Sequence, residues 1–386
     1  MANWLGTWKY RHKITVDATK IDTADLTWFP VIIHLNTTAG SGDDDVSDIF
    51  DELTSDANRT KIALTTTDGT TQLYAEIEKW DDANETAILH VSKTGWVLDY
   101  DADTELYIYF DSEQDANTTY IGDTNSVVAE SVWDSNFKMV QHMADGADTS
   151  HIYDSTANDK DGTKLSANNP LEADAKIGRG QLFSSDYIDI DTGVGISQDA
   201  DFTVSVWINK TADVDRYILT FAESGYVNFS QSAGTLHWFI YDGADRRITE
   251  AAEAGWHCMT MTYDRSELKF YAYLDGVYQT SATINDPDYN YATVRNTIGM
   301  HVKHSTLAYN SEIDEIQASD IIRSAAWIKA TYNSGIDTLI KDYAAKEEIA
   351  AAGPANLKSY NGLAIASMKS IMGLGIADIK SINGLA

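Results

Sequence analysis

Residues 254–279 read AGWHCMTMTYDRSELKFYAYLDGVYQ. Met259, Met261 and Tyr263 alternate with Thr260 and Thr262, which is the period of a strand with one face in a core. Leu274-Asp275-Gly276 between two such runs signals a tight hairpin. Upstream, GTLHWFIYDG repeats the pattern and ends on Tyr241-Asp242-Gly243. The same grammar extends over residues 126–335, through DFTVSVWINK and SEIDEIQASDIIRS, and predicts a second all-β domain there.

Residues 1–125 also alternate. HKITVD, WFPVIIHL, TQLYAEIEKW, TAILHVS and ELYIYF read as strands, separated by turn-rich stretches such as TTAGSGDDD and KWDDANE. A first sandwich is expected over 1–125. Then SAAWIKATYNSG predicts a helix ending at Gly335. The Ala-, Lys- and Glu-rich 336–354 predicts a helical linker stopped by Gly353-Pro354.

The chain closes on LKSYNGLAIASMKSIMGLGIADIKSINGLA, two and a half copies of an eleven-residue unit over 355–386. Lys358, Lys369 and Lys380 align, as do Gly362, Gly373 and Gly384. Gly and Asn at fixed places oppose a helix. Asn361-Gly362 and Asn383-Gly384 favour two-residue turns between short strands. So small a meander does not stabilise itself and is expected to order against a sister chain or another protein.

The net charge is −31, while the tail, with three Lys and one Asp, is the basic segment. An acidic body argues against nucleic acid as a partner. No apolar run is long enough to span a membrane, and MANWLGTWKYRHKITV is not a secretory signal. The lone Cys258, in an apolar run, reads as an inert thiol.

Three resemblances follow. Trp8, Tyr10, Arg11 and Ile14–Val16, then LTWFPV (26–31), YAEIEKWD (74–81) and LYIYF (106–110), resemble a β-sandwich module of bacterial surface proteins and viruses that implies no known activity. DSTANDKDGT (154–163), FTVSVW (202–207), GWHCMTMTYD (255–264), YLDG (273–276) and the run from Ile313 to Ser334 resemble the laminin-G/concanavalin A-like superfamily. That resemblance implies a two-sheet jelly roll, in a family of glycan binders, hydrolases and structural modules. The closing K-S-[IY]-[NM]-G-L-[AG] unit resembles C-terminal repeats of phage virion proteins.

The glycosidases of this superfamily carry carboxylates at alternate positions of one strand, about 5–5.5 Å apart for retention. Here Glu312 and Asp314 share a face, the third place holds Ile316 or Gln317, and Glu315 alternates to the opposite face. Glycosidase chemistry is therefore not expected. Glu76 and Glu78 read as the polar face of a strand. Asp154, Asn158 and Asp161 offer oxygens suited to calcium, and the superfamily resemblance adds Asp314 as a late ligand. An Asp/Asn/Gly turn is the other reading. Trp238, Tyr241 and Trp256 are candidates for stacking on a sugar or for the core, so the glycan-binding residues stay unknown.

The expectation is an all-β, non-enzymatic structural protein of a tailed-phage particle, of decoration, fibre or appendage type, located in the virion. Its partners would be other virion proteins, further copies of itself and host surface glycans. Assembly would rest on Lys358, Asn361, Gly362, Lys369, Gly373, Lys380, Asn383 and Gly384. The alternative is an exported bacterial surface adhesin or carbohydrate-binding module.

Overall fold

The computed structural model describes residues 3–146, 148–190, 193–211, 215–222, 226–289, 295–301 and 307–349, and the tail pairs 359–360, 363–364, 370–371 and 374–375. The described chain is dominated by antiparallel sheets in two sandwiches.

In the first sandwich, Tyr10–Val16 lies between Thr104–Phe110 and Ile340–Tyr343, and Ile62–Thr66 extends the sheet. Its partner sheet is Val31–Leu35, Thr86–Ser92, Tyr74–Asp81 and the parallel Ile121–Asp123. Alternate residues of both sheets meet in one core. Ile14, Val16, Leu64, Ile108 and Phe110 face Val31, Ile33, Leu89 and Val91. Each such burial contributes about 1.5–3 kcal/mol.

The region after Gly335 departs from the expected helical linker. Ile340–Tyr343 pairs with Tyr10–Val16 in the register Ile14↔Tyr343, and Glu347–Glu348 continues along the same edge. Helix propensity is worth only a few tenths of a kcal/mol per residue. Against it stand an unpaired strand edge and the burial of Ile340 and Tyr343 in the first core. The first domain therefore does not close at residue 125. It is completed by the chain's return after the second sandwich.

The helix Ala325–Gly335 lies where its sequence places it. Ser324 caps it, its side chain accepting from Trp327 N at 3.1 Å. Ala326, Trp327 and Ala330 enter the first core, while Tyr332 stacks on Trp207 of the second sandwich at 5.5 Å.

The second sandwich pairs two large sheets. One contains Arg179–Leu182, Glu312–Ser319, Phe202–Lys210, Gly255–Asp264, Lys269–Leu274 and Val277–Thr283. The other contains Ile188–Ile190, Asn296–Ile298, Arg216–Phe221, Tyr226–Ser232, Thr235–Tyr241 and Asp245–Ala251. Val204, Val206, Met259, Met261 and Ile316 meet Leu219, Phe229, Trp238 and Ile298 between them. The opening hairpin turns as its sequence requires. Leu274 pairs with Val277, and both Asp275 (φ 52) and Gly276 (φ 76) take the left-handed conformation of a type I′ turn.

The two sandwiches are fused through a dry contact. Ile32 and Ile88, on the outer face of the first sandwich, pack with Ile177, Trp207 and Cys258 of the second. Burial pushes the Cys258 thiol up to about 12. Arg323 locks the end of this joint. Its guanidinium pairs twice with Asp134, at 2.7 and 2.8 Å, sandwiched between Phe137 and Trp327.

In the tail, Ser359–Tyr360 pairs with Leu363–Ala364 and Ser370–Ile371 with Leu374–Gly375. Each ladder spans two intervening residues, as the turn reading expects. Lys358, Asn361, Gly362, Lys369, Gly373, Lys380, Asn383 and Gly384 lie outside the described residues.

Candidate functional site

The loop expected to hold calcium is closed on itself. Asp154 Oδ1 accepts from the backbone N–H of Val140 (2.8 Å) and Thr156 (3.0 Å), and Oδ2 from Lys160 N (2.8 Å) and the Thr156 hydroxyl (2.9 Å). These four bonds use the carboxylate's lone pairs. Asp161 accepts from Asp154 N, and Asn158 Nδ2 donates to Phe137 O and Thr156 Oγ1. Asp314 is held elsewhere, by Ile177 N and Glu315 N. Asp154 and Asp161 thus share the 154–161 turn, whereas Asp314 lies in the joint between the sandwiches. These bonds are those of an Asp/Asn turn, the other reading of this segment.

Glu315 is where alternation fails. Ser205 pairs with Gln317 and Trp207 with Asp314, so Glu315 and Ile316 together oppose Val206. Glu315 has φ 43, and this is a β-bulge. Ile313 and Ile316 both enter the core, whereas Asp314 and Glu315 both turn to the joint between sandwiches. The sequence expectation that Glu315 opposes Asp314 is thereby corrected. Asp314 is 0% and Glu315 2% exposed, covered by the first sandwich.

Glu315 meets a polar cluster there. His142 Nδ1 lies 2.5 Å from Glu315 Oε1 and 3.7 Å from Glu78 Oε2. His90 Nε2 lies 2.8 Å from Glu78 Oε2, and the two imidazole rings are 4.3 Å apart. On the far side, His142 Nε2 is 3.3 Å from Glu76 Oε1. Glu76 is itself fixed by Trp133 Nε1 and the Ser155 hydroxyl, each donating at 2.7 Å. Glu76 and Glu78, expected as the polar face of a strand, have their side chains buried in the joint. Glu78, His90, His142 and Glu315 each offer a ligand atom within 4.8 Å of the others.

Charge in this pocket is uneven. Burial opposes ionisation of Glu76, but His142 and His90 outweigh it and hold its carboxyl down at about 2. Burial likewise disfavours a charged His142, yet Glu315 and Glu76 raise it well above an ordinary histidine. Burial raises Glu78, and burial with the neighbouring Glu315 and Glu78 raises Asp314 well above the usual range.

The other sheet of the second sandwich carries a second arrangement on its outer face. Val227 and Phe229, and Leu236, Trp238 and Ile240, point into the core. The alternate residues Tyr226, Asn228, Ser230, His237, Phe239 and Tyr241 point out. Tyr226 and Tyr241 pair directly across the strands, their rings stacked at 4.8 Å and 2°. Tyr289 meets Tyr241 edge-on at 5.3 Å, and Tyr217 packs on His301 at 4.6 Å. Tyr217, Tyr226, Tyr241 and Tyr289 are half-buried. Of the three aromatic candidates, Trp238 is fully in the core and Trp256 packs at the joint. Tyr241 is the one on this ledge.

Residues 182–329 match the family described as the concanavalin A-like lectin/glucanases superfamily. The second sandwich is thus a lectin-like jelly roll, and the all-β architecture holds for the described chain. Among solved structures, domain 4 of the extracellular arabinanase AbnA from Geobacillus stearothermophilus, in complex with arabinotriose, is 17% identical with a TM-score of 0.41. The similarity covers 50% of this chain and 97% of that one. The binding domain of Paraclostridial Mosquitocidal Protein 1 is 16% identical with a TM-score of 0.40. The binding domain of botulinum neurotoxin DC, in complex with SialylT, is 10% identical with the same TM-score. For both toxins the match covers 52% of this chain and 52% of theirs. No curated protein matches the chain. No helix among the described residues is long and apolar enough to cross a membrane.

Proposed function

We propose that the lectin-like jelly roll binds glycans on its tyrosine ledge, and that the chain is a non-enzymatic structural component of a tailed-phage particle. The observation that carries the glycan reading is the stacked pair Tyr226 and Tyr241, half-buried on the outer face of the sheet that also carries the exposed Arg247. Flat aromatic faces suit the C–H faces of sugar rings, and an exposed guanidinium suits their hydroxyls. The strand that would carry glycosidase carboxylates has Asp314 and Glu315 beneath the first sandwich, out of a substrate's reach. The particle reading rests on the closing eleven-residue repeats, which would anchor the chain to virion proteins or to its own copies. The two sandwiches would then project towards host surface glycans.

A glycan array probed with the full chain, with and without calcium, tests the ledge. Selective binding that falls at least tenfold in Tyr226→Ala and Tyr241→Ala is expected. Blank arrays under both conditions would overturn glycan binding. Truncation after Pro354 is expected to leave a folded monomer that no longer assembles, and an unchanged oligomer mass would sink the anchoring role.

A further inference from the structure

We propose that Glu78, His90, His142 and Glu315 form a structural binding site for a first-row transition-metal dication of the zinc type, stapling the two sandwiches together. Two ligands come from each side of the joint. Glu78 and His90 belong to the first sandwich, and His142 and Glu315 to the second. The donors facing one another are Glu78 Oε2, His90 Nε2, His142 Nδ1 and Glu315 Oε1.

Four ligands about 2.0–2.2 Å from a tetrahedral zinc stand roughly 3.3 Å apart. The contacts of 2.5, 2.8 and 3.7 Å among these donors bracket that spacing. Two imidazoles with two carboxylates suit zinc and its neighbours, whereas calcium and magnesium prefer all-oxygen sets. The second ring nitrogen of His142 faces Glu76, which Trp133 and Ser155 hold in place. That carboxylate–histidine arrangement behind a metal ligand fixes its ring orientation.

The facing donors are paired now, His90 Nε2 with Glu78 and His142 Nδ1 with Glu315, and a dication would take the place of the protons they share. Glu76, Glu78, Asp314 and Glu315 also place four carboxyl groups around two imidazoles in one dry joint. Glu78 also lines a cleft with Thr124, Asn125, Asp145 and Tyr153. On binding, the Nδ1 proton of His142 leaves to solvent, and the Nε2 proton stays on the ring, 3.3 Å from Glu76 Oε1.

The test uses the full chain, stripped with a chelator and reloaded with zinc, cobalt(II), calcium or magnesium alone. One equivalent of zinc should survive dialysis, and zinc should raise the melting temperature by about 5 °C. Calcium and magnesium should leave it unchanged. Cobalt should give the intense visible bands of a four-coordinate site. Glu78→Gln and Glu315→Gln keep the packing and remove a carboxylate donor, so they should fold when stripped yet bind zinc at least tenfold more weakly. Glu76→Gln should weaken zinc about 10–100-fold. Sub-stoichiometric zinc after reloading, equal zinc shifts in wild type and Glu315→Gln, or an equal response to calcium would each overturn the proposal.

Discussion

The jelly roll has two outer faces with different fates. Both are written with the same strand grammar, apolar residues inward and polar or aromatic residues outward. On the sheet of Phe202–Lys210 and Glu312–Ser319, the outward residues are sealed by the first sandwich, with Trp207 3% exposed. On the sheet of Tyr226–Ser232 and Thr235–Tyr241, outward tyrosines stay half-exposed. The same alternation thus yields a joint on one side and a ledge on the other. What separates them is the presence of a second apolar surface, Ile32 and Ile88, to cover the first face. Once covered, a polar group must find a partner or become costly, which is why charged residues cluster at the joint.

The contrast is broken most directly by truncating one large aromatic on each face. Trp207→Ala should cost about 3–5 kcal/mol in urea unfolding, since it opens a cavity against Ile177, Cys258 and Tyr332. A loss under about 1 kcal/mol would mean that the joint is not packed in solution. Arg323→Ala should cost about 3–5 kcal/mol, because it strands the buried Asp134 carboxylate and removes the stack on Phe137 and Trp327. Stability unchanged from wild type would remove this lock from the account.

Asp337, held against the 40–43 loop of the first sandwich, gives a pH-dependent test. Burial, with Asp43 nearby, pushes its carboxyl up to about 7, while it accepts from Gly40 N at 2.9 Å. A raised folded value means that the ionised form opposes folding. The associated stability is full below about pH 4 and is lost as pH rises through about 7. Asp337→Asn should therefore match wild type near pH 4 and exceed it by about 2 kcal/mol at pH 8. Parallel melting curves across that range would contradict it. The smallest effect belongs to the open side, where Tyr241→Ala should cost only about 0.5–1.5 kcal/mol, the worth of a partly solvated ring stack. A loss as large as that of Trp207→Ala would mean the ledge is core, and would erase the difference between the faces.

Much of the fold is legible in local sequence because the signals are local. Asp275-Gly276 supplies the left-handed pair that a two-residue turn requires. Ser324 caps its helix, and Met259, Met261 and Tyr263 keep strand period into the core. The site was far less legible. Trp238 and Tyr241 lie three apart on one strand, and only the register separates core from ledge. Glu315 defeats alternation through a bulge, a one-residue shift without a sequence mark of its own.

The sequence by itself determined the strands, their turns, the helix at 325–335 and the lectin-like character of the second sandwich. Those follow from side-chain period and turn chemistry, which act between near neighbours. Tertiary structure alone decided that 340–348 returns to the first sheet, that Glu76 and Glu78 leave solvent, and that Glu78, His90, His142 and Glu315 converge from distant strands. Each depends on one surface covering another. The gain from that burial belongs to the pair of surfaces, and no single stretch of chain encodes it.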